Sequence, residues 1–413
     1  MNVSSMRRID RWAGVPACAG LTLVRRIDDW ALRRRSGDPR RIAVIKLAEQ
    51  GATVLAHSAL VRARELVGAE NLFFVVFAQN RFILDLLRVV PPENVLAIRA
   101  STPVRLVLDT LRVLRRMRRE RIDATVDFEF FARSSAILSY LSGARTRVGF
   151  HAYFGEASYR GDLMTHRLSF NPWLHASEIF QAEVEALATA AERLPAHDCR
   201  PQGAGPLPRY HPPRERIAEV ERLLCESLKV HELPPIVLLN ANCGDLLPLR
   251  RWPTERYVEL GRRLLDRHPD LAIVLTGSPS EAADASALAR GIGSSRCVSL
   301  AGRTTLDQLL ALYWVSAAMV TNDSGPAHYA TLTPIEVVTL FGPETPAAFG
   351  ARTPTSHALW AGIACSPCVN AFNDRQSACR DNVCMQRIGV DEVLALTSRI
   401  LEERRGSRRS VAG

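Results

Sequence analysis

No apolar run reaches the roughly 18 residues that a transmembrane helix requires, so a membrane-spanning segment is not expected. Aromatic residues are scarce, at 7%, and few of them interleave with the arginines. With no recognisable nucleic-acid module either, nucleic acid is not an expected partner. An early Gly-x-Gly-x-x-Gly loop and a Tyr-x-x-x-Lys pair are both missing, which argues against a nucleotide-sugar epimerase. Cysteine is too sparse for a disulfide scaffold: nine residues, five of them (Cys18, Cys199, Cys225, Cys243, Cys297) scattered as in a reducing compartment. Short-period repeats are also absent.

What is present suits a globular protein. A chain of 413 residues, 47% hydrophobic and 23% charged, is too long for one ordinary core and implies two domains. Its formal charge of +10 favours anionic partners: phosphates, nucleic acid or an acidic membrane face.

The N-terminal stretch "MRRIDRWAGVPACAGLTLVRRIDDWALRRR" has a basic start and an apolar part from Trp12 to Val24. Asp10, Arg11 and Pro16 argue against a secretion signal. Arginines and two tryptophans flanking apolar residues fit an interfacial anchor, and equally a helix docked on a domain surface.

From Arg41 the pattern alternates. "RIAVIKLA", "NLFFVVFA", "NVLAIRA", "IDATVDFEF" and "TRVGF" read as strands, separated by helical stretches at 53–67, 80–89, 103–120 and 132–142. The Pro-rich stretch 201–213 marks a linker. A second series follows: strands "PIVLLNA", "LAIVLTG", "CVSLAG", "AAMVTN" and "IEVVTLFG", with helices at 214–229, 254–268, 280–291, 305–316 and 325–332. Short apolar runs alternating with helical periodicity mean parallel sheets wrapped by helices. The expected architecture is α/β: two Rossmann-like doubly wound domains, 41–213 and 214–390, facing across a cleft. An N-terminal segment (1–40) precedes them, and a C-terminal helix and basic, disordered-looking tail (391–413) follow.

In such sheets ligands sit at the carboxyl ends of strands. "TNDSGPAHYA" (321–330) lies at one of these ends. Ser324 suits an N-cap, Pro326 the first helical turn, and Gly325 a close backbone approach. Amides and the helix dipole there attract phosphate, with His328 as a further donor. Three more turns share the rim. "NANCGDLLPLRRWPTERY" offers Asn240, Asn242 and Gly244 for hydrogen bonds, Arg250 and Arg251 for charge, and Thr254 as a cap. "LTGSPSE" offers Glu281 to a ribose hydroxyl pair. "LFGPETP" makes a tight turn at Gly342 and Pro343. Four polar turns in one domain point to a nucleoside diphosphate site.

The segment "LAGRTTLDQLLALYWVSAAMVTNDSGPAHYATLTPIEVVTLFGPETP" resembles the C-terminal signature of glycosyltransferase family 9, the ADP-heptose:lipopolysaccharide heptosyltransferases. "RRWPTERYVELGRRL", "IVLTGSPSE" and "IAVIKLAEQGATVLAHSALVRARE" resemble its other blocks, in order, over roughly 41–400. The resemblance implies a GT-B fold, a donor site in the second domain, an acceptor site in the first, and usually no catalytic metal. It places Asp323, Ser324, Gly325 and His328 on the donor motif and Glu281 on the adenosine-ribose acid. Arg250 falls where the family usually has a phosphate-binding lysine, which keeps the charge but changes the geometry. A carboxylate beside a diphosphate is repelled, so Asp323 suits amides or a sugar hydroxyl instead.

The acceptor loop, with Lys46, Gln50 and Gly51, departs from the family. The usual Gly-Asp, whose aspartate is the expected base, is Gly51-Ala52 here. Alanine takes no proton, so Glu49 is the candidate base, with Asp127 or Glu129 as the fallback. The expected activity is single-displacement, inverting transfer of a sugar, a heptose by the resemblance, from an ADP-sugar to a hydroxyl of a lipopolysaccharide-core or other cell-surface glycan. A non-catalytic nucleotide-sugar or glycan binder is the alternative that Ala52 raises.

Cys365, Cys368, Cys379 and Cys384 have spacings that resemble a structural zinc site, with a thiol cluster or disulfide pair also open. "RVLRRMRRERID" reads as a solvated face, or as a contact with an anionic membrane or a phosphorylated glycolipid acceptor. The expected location is cytoplasmic, peripheral on the inner membrane face.

Overall fold

The computed structural model describes residues 9–32, 38–201, 205–244 and 247–412. The ends of the N-terminal segment, 1–8 and 33–37, therefore lie outside the described residues. The chain divides into two compact units, one of residues 1–206 with 370–376, the other of 207–369 with 377–413.

Unit 1 holds β1 (Ile42–Ile45), β2 (Leu72–Phe77), β3 (Val95–Ile98), β4 (Ala124–Asp127), β5 (Thr146–Phe150) and β6 (His166–Leu168). They form one sheet in the order β3-β2-β1-β4-β5-β6. Unit 2 repeats the plan with β7 (Ile236–Asn240), β8 (Ala272–Leu275), β9 (Cys297–Ser299), β10 (Ala318–Asn322), β11 (Glu336–Phe341) and β12 (Ser356–Trp360), in the order β12-β11-β10-β7-β8-β9. Every pairing is parallel. The central strands are buried throughout because helices cover both faces, and their sequences are correspondingly continuous in apolar residues. In each sheet the strand order reverses once, between β1 and β4 and between β7 and β10. A doubly wound sheet leaves its crevice at that switch point.

Several local expectations are corrected. The helical stretch 53–67 is two helices, Gln50–Leu55 and His57–Val67, joined at Ala56. β6, β12 and the helix Ala176–Glu185 carried no clear sequence signal; the two strands are short, half-polar edges. The C-terminal tail continues the helix Val390–Ala412, where Arg404 donates to the carbonyls of Ser316, Ala317 and Pro334.

The N-terminal helix Gly14–Leu32 docks on the helix Arg133–Leu141. Cys18 packs with Ala136, Leu163 and Met164. Asp10 accepts from the Ser134 amide at 2.8 Å and pairs with Arg133 at 3.1 Å, and Arg25 pairs with Asp162. The docked helix is thus the arrangement adopted, and among the described residues no helix is long and apolar enough to cross a membrane.

The fit at this dock is tight at Gly161, whose φ is +71°. A Cβ there would come within 2.6 Å of Thr22 Oγ1 and 2.8 Å of the Cys18 carbonyl. Gly161→Ala is expected to cost about 1–3 kcal/mol and to expose the N-terminal helix to protease. Gly143→Ala, at φ +85° but with open space around it, should carry the backbone cost of about 1 kcal/mol without the proteolysis. Thermal unfolding and limited proteolysis of the two variants check this.

Candidate active site

In unit 2 the expected donor residues converge on the β7–β10 switch point. Thr321 sits opposite Asn240 across the paired strands, so the turns after the two strands start side by side. Asn322, the last residue of β10, is fully buried and joins them. Its Oδ1 accepts from the Trp252 amide at 3.0 Å and the Tyr257 hydroxyl at 3.2 Å, and its Nδ2 donates to the Ala241 carbonyl at 2.8 Å. Sequence reasoning did not single out Asn322. A polar residue ending an apolar strand was the available signal.

Ser324 occupies the N-cap of Gly325–Ala330 but makes no side-chain cap bond, and the helix has only six residues. Its buried Oγ has no hydrogen-bond partner among the described residues, and neither does Asp323 Oδ2. Buried polar atoms in native proteins are normally satisfied, so these two are exceptions at the carboxyl end of β10. Gly325 lies under the ring of Tyr329, 3.1 Å from where a Cβ would stand.

Arg250 is buried between two acids: its guanidinium lies 3.5 Å from Glu344 and 3.7 Å from Asp323. His328 Nε2 stands 3.9 Å from Asp323. Arg250 and His328 thus stand beside the carboxylate whose repulsion of a diphosphate was the objection to Asp323. Glu344, in the tight turn after β11, escaped sequence analysis; between Pro343 and Pro346 its burial left no trace. Gly342 makes that turn because a Cβ would collide with Met385.

Two assignments change. Thr254 does not cap its helix: Pro253 is the cap residue and Thr254 the first helical position. Glu281 accepts from the Ser278 amide at 2.8 Å and hydroxyl at 2.9 Å, closing a capping box, so Oε2 already has a structural task. Asn240 donates to Thr276 at 3.2 Å. A cavity of about 130 Å³ opens between the ends of β7 and β8, lined by Asn242, Arg251, Thr254, Thr276 and Asp284 among others.

Unit 1 carries an ionic cluster at its own switch point. Ile45 and Asp127 are register partners on β1 and β4. Lys46, one of only two lysines in the chain, is buried and reaches Glu49 and Glu129, each at 3.2 Å. Burial works against its charge, but Glu129 and Glu49 outweigh that and raise its pKa. Glu129 is raised by burial, which Lys46 opposes, and also accepts from the Ala48 amide at 2.8 Å. Glu49 has a left-handed backbone, φ +67°, and its carboxylate also meets Arg375 from the 370–376 segment of the same unit. Gln50 bonds to Asn80 and the Gln79 carbonyl, and Gly51 and Ala52 are buried in the helix that follows.

The fallback base Asp127 is fully buried, and both oxygens are engaged: by the Glu129 amide at 3.1 Å, by Ser135 at 2.9 Å, and by Arg160. That leaves it a structural part and shifts the fallback to Glu129. Behind it, Glu183 is buried with neither carboxylate oxygen hydrogen-bonded among the described residues. Burial first, then Asp127, holds its pKa well above the usual range, against Arg160 and Lys46.

Among the described residues the four cysteines are not gathered into a metal cage. Cys365 and Cys379 are exposed, Cys384 is buried, and Cys368 Sγ lies 3.4 Å from Ser377 Oγ. Among the described residues no group of three or more His, Cys, Asp or Glu side chains is placed to hold a metal ion, so nothing supports the zinc that the spacing suggested.

Residues 110–378 match the sequence profile described as glycosyltransferase family 9 (heptosyltransferase). The chain belongs to glycosyltransferase family 9. It is similar to lipopolysaccharide heptosyltransferase 2 of Escherichia coli K12, 35% identical over 138 residues, which are 32% of this chain and 39% of that protein. The matched region thus spans well under two thirds of the relative's length. In structure it is similar to E. coli ADP-heptose lps heptosyltransferase II, with 19% identity, a TM-score of 0.62, and coverage of 88% of this chain and 99% of that one. It is also similar to E. coli heptosyltransferase WaaC with ADP-2-deoxy-2-fluoro heptose, with 17% identity, a TM-score of 0.55, and coverage of 88% and 99%. These likenesses establish the GT-B fold expected of family 9.

Two outcomes follow for the family 9 site. Asn322→Ala removes an amide with partners in two elements and is expected to cost about 2–4 kcal/mol, read as a lower denaturant midpoint. Burial holds Glu183 protonated, and its ionisation costs fold stability. That cost is absent below the unfolded carboxyl range, near pH 4, and grows by about 1.4 kcal/mol per pH unit as pH rises toward the folded value. Glu183→Gln cannot ionise, so its stability relative to the parent should increase as pH rises above about 4. Melting curves across that range check the sign.

Proposed function

We propose that the protein is an inverting glycosyltransferase that moves a heptose from ADP-heptose to a hydroxyl of a lipopolysaccharide-core glycan. It would act in the cytoplasm, as a peripheral protein on the inner membrane face. The observation that carries the donor half is the buried Ser324 Oγ, which has no hydrogen-bond partner among the described residues, beside the Asp323 carboxylate at the β7–β10 switch point of a family 9 chain. They suit hydrogen bonds from a donor's hydroxyls, and Arg251, Asn240 and Asn242 line the same rim. Relatives named as heptosyltransferases, one of them holding an ADP-heptose analogue, support the donor class.

In this reading Glu49 takes the proton from the acceptor hydroxyl as that oxygen attacks the anomeric carbon. The bond to the diphosphate breaks and ADP leaves, its charge answered by Arg251, His328 and backbone amides. Lys46 and Arg375 hold the Glu49 carboxylate in place. Arg250, already matched by two acids, positions Asp323 more than it neutralises phosphate. The non-catalytic alternative is not favoured, because two carboxylates, Glu49 and Glu129, stand at the acceptor loop despite Ala52.

The test separates chemistry from binding. Glu49→Gln should lower transfer by about 10²–10⁴-fold while calorimetric affinity for ADP-heptose stays near that of the parent. Parent-like turnover rejects Glu49 as the base, and a matching loss in Glu129→Gln alone assigns the role to Glu129. No uptake of ADP or ADP-heptose by the parent overturns the donor site.

A further inference from the structure

The helix Pro103–Arg119 of unit 1 has two apolar faces. One is ordinary: Val113, Leu114 and Met117 are buried in the core cluster beneath the sheet, together with Leu138 of the neighbouring helix. The other is not. Val104, Val107, Leu108 and Leu111 recur at i, i+3, i+4 and i+7, so they form one stripe, and each is 42–68% exposed. A surface helix of a soluble protein normally carries charged or polar groups there.

Charge surrounds the stripe with one sign. Arg105, Arg112, Arg115 and Arg119 are exposed around it, and at 100° per residue Arg115 continues the stripe itself toward the C-terminal end. The single acid within the helix, Asp109, is buried and ion-paired with Arg99 and Arg112 at 2.7 and 2.5 Å. The outward surface is therefore apolar and cationic.

A second helix shows the same combination. Gly14–Leu32 docks through Cys18, Thr22 and Arg25 and turns Leu23, Val24 and Ile27 to solvent, beside Arg26. Both helices contact the helix Arg133–Leu141: the first through Arg118, which donates to the Leu141 carbonyl at 2.7 Å, the second through its dock. They thus belong to one helical layer of unit 1.

We propose that this layer is a docking face for an anionic lipid bilayer. The apolar stripes would enter the headgroup–acyl boundary and the arginines would engage lipid phosphates. An acidic protein would meet the arginines but has no use for two separate aliphatic stripes; a second copy would bring equal positive charge against them. The proposal deepens the reading of a peripheral protein whose acceptor is lipid-linked, and rests on that reading for the membrane's identity.

The test is co-sedimentation of the full chain with vesicles of phosphatidylcholine, with and without phosphatidylglycerol. The parent should bind the anionic vesicles, less so at high salt, and bind the neutral ones weakly. Leu108→Asp/Leu111→Asp should reduce binding by about tenfold or more, and Arg115→Glu/Arg119→Glu should abolish the preference for phosphatidylglycerol. Both pairs are surface positions, and an unchanged melting temperature establishes that each variant folds. Absence of vesicle binding by the parent, parent-like binding by both folded variants, or a dimer in solution that Leu108→Asp/Leu111→Asp dissolves overturns the proposal. Transfer to a delipidated, water-soluble core oligosaccharide is the control, and these variants should retain it. A parent that binds vesicles but transfers to no acceptor would sink the enzymatic reading and leave the docking face standing.

Discussion

One buried amide organises unit 2. Asn322 ends the strand β10, yet both polar atoms of its side chain are bound to the chain that follows β7. In a parallel sheet the strands bond to one another, but their carboxyl-end loops have no shared ladder to hold them. The Asn322 side chain supplies that link: it accepts at Trp252 and Tyr257, donates at Ala241, and so fixes the loop that carries Arg250 and Arg251 against the turn that carries Asp323 and Ser324. Trp252 and Tyr257 are themselves fully buried, at 4.9 Å between ring centroids, so the polar link is sealed by apolar packing. A buried network of this kind is worthwhile only if satisfied. Here the satisfied part is the frame, and Asp323 Oδ2 and Ser324 Oγ, neither hydrogen-bonded among the described residues, lie one and two residues further on.

Unit 1 solves the same geometric problem with charge. Lys46 leaves the end of β1 and reaches Glu129, two residues beyond the end of β4, and Glu49 in its own loop. Breaking a buried ion pair on one side leaves an uncompensated charge, so the cluster specifies the loop more than it stabilises the fold. Elsewhere the chain uses arginine almost exclusively for positive charge. A lysine survives at Lys46, where a slender stem must pass through a buried site before its point charge meets two carboxylates. The same scarcity was visible in the sequence and would have marked this residue.

Much of the fold was legible because buried parallel strands are written as uninterrupted apolar runs: "AVI", "FFVVF" and "IVLL" leave little else to be. β6 and β12 were not, since edge strands bury one face and pair on one side, and "HRL" and "SHALW" look like loop. The donor rim was legible through its turn residues, because Ser, Gly and Pro have fixed uses at strand-to-helix junctions. Its partners were not. Nothing local says that Arg250 will find Glu344 across 94 positions, or that Arg375 will be delivered to Glu49 across 326. The Ser278–Glu281 capping box is a short-range signal whose first duty is structural, and a serine and a glutamate three apart look the same in sequence whether they cap or bind.

Glu49 is where these threads meet. A β-unbranched but non-glycine residue at φ +67° carries a backbone cost of about 1–2 kcal/mol that the surroundings must offset. Lys46 and Arg375 do so by gripping its carboxylate from two sides. Were position 49 only a connector, glycine or asparagine would satisfy the same turn without the strain. The chain instead keeps a carboxylate in a left-handed loop at a switch point, beside a buried position, Ala52, that could not present one without adding a third acid to a single lysine. Lys46 and Arg375 thus fix a strained glutamate in the loop just ahead of a helix whose first turn carries no acid of its own.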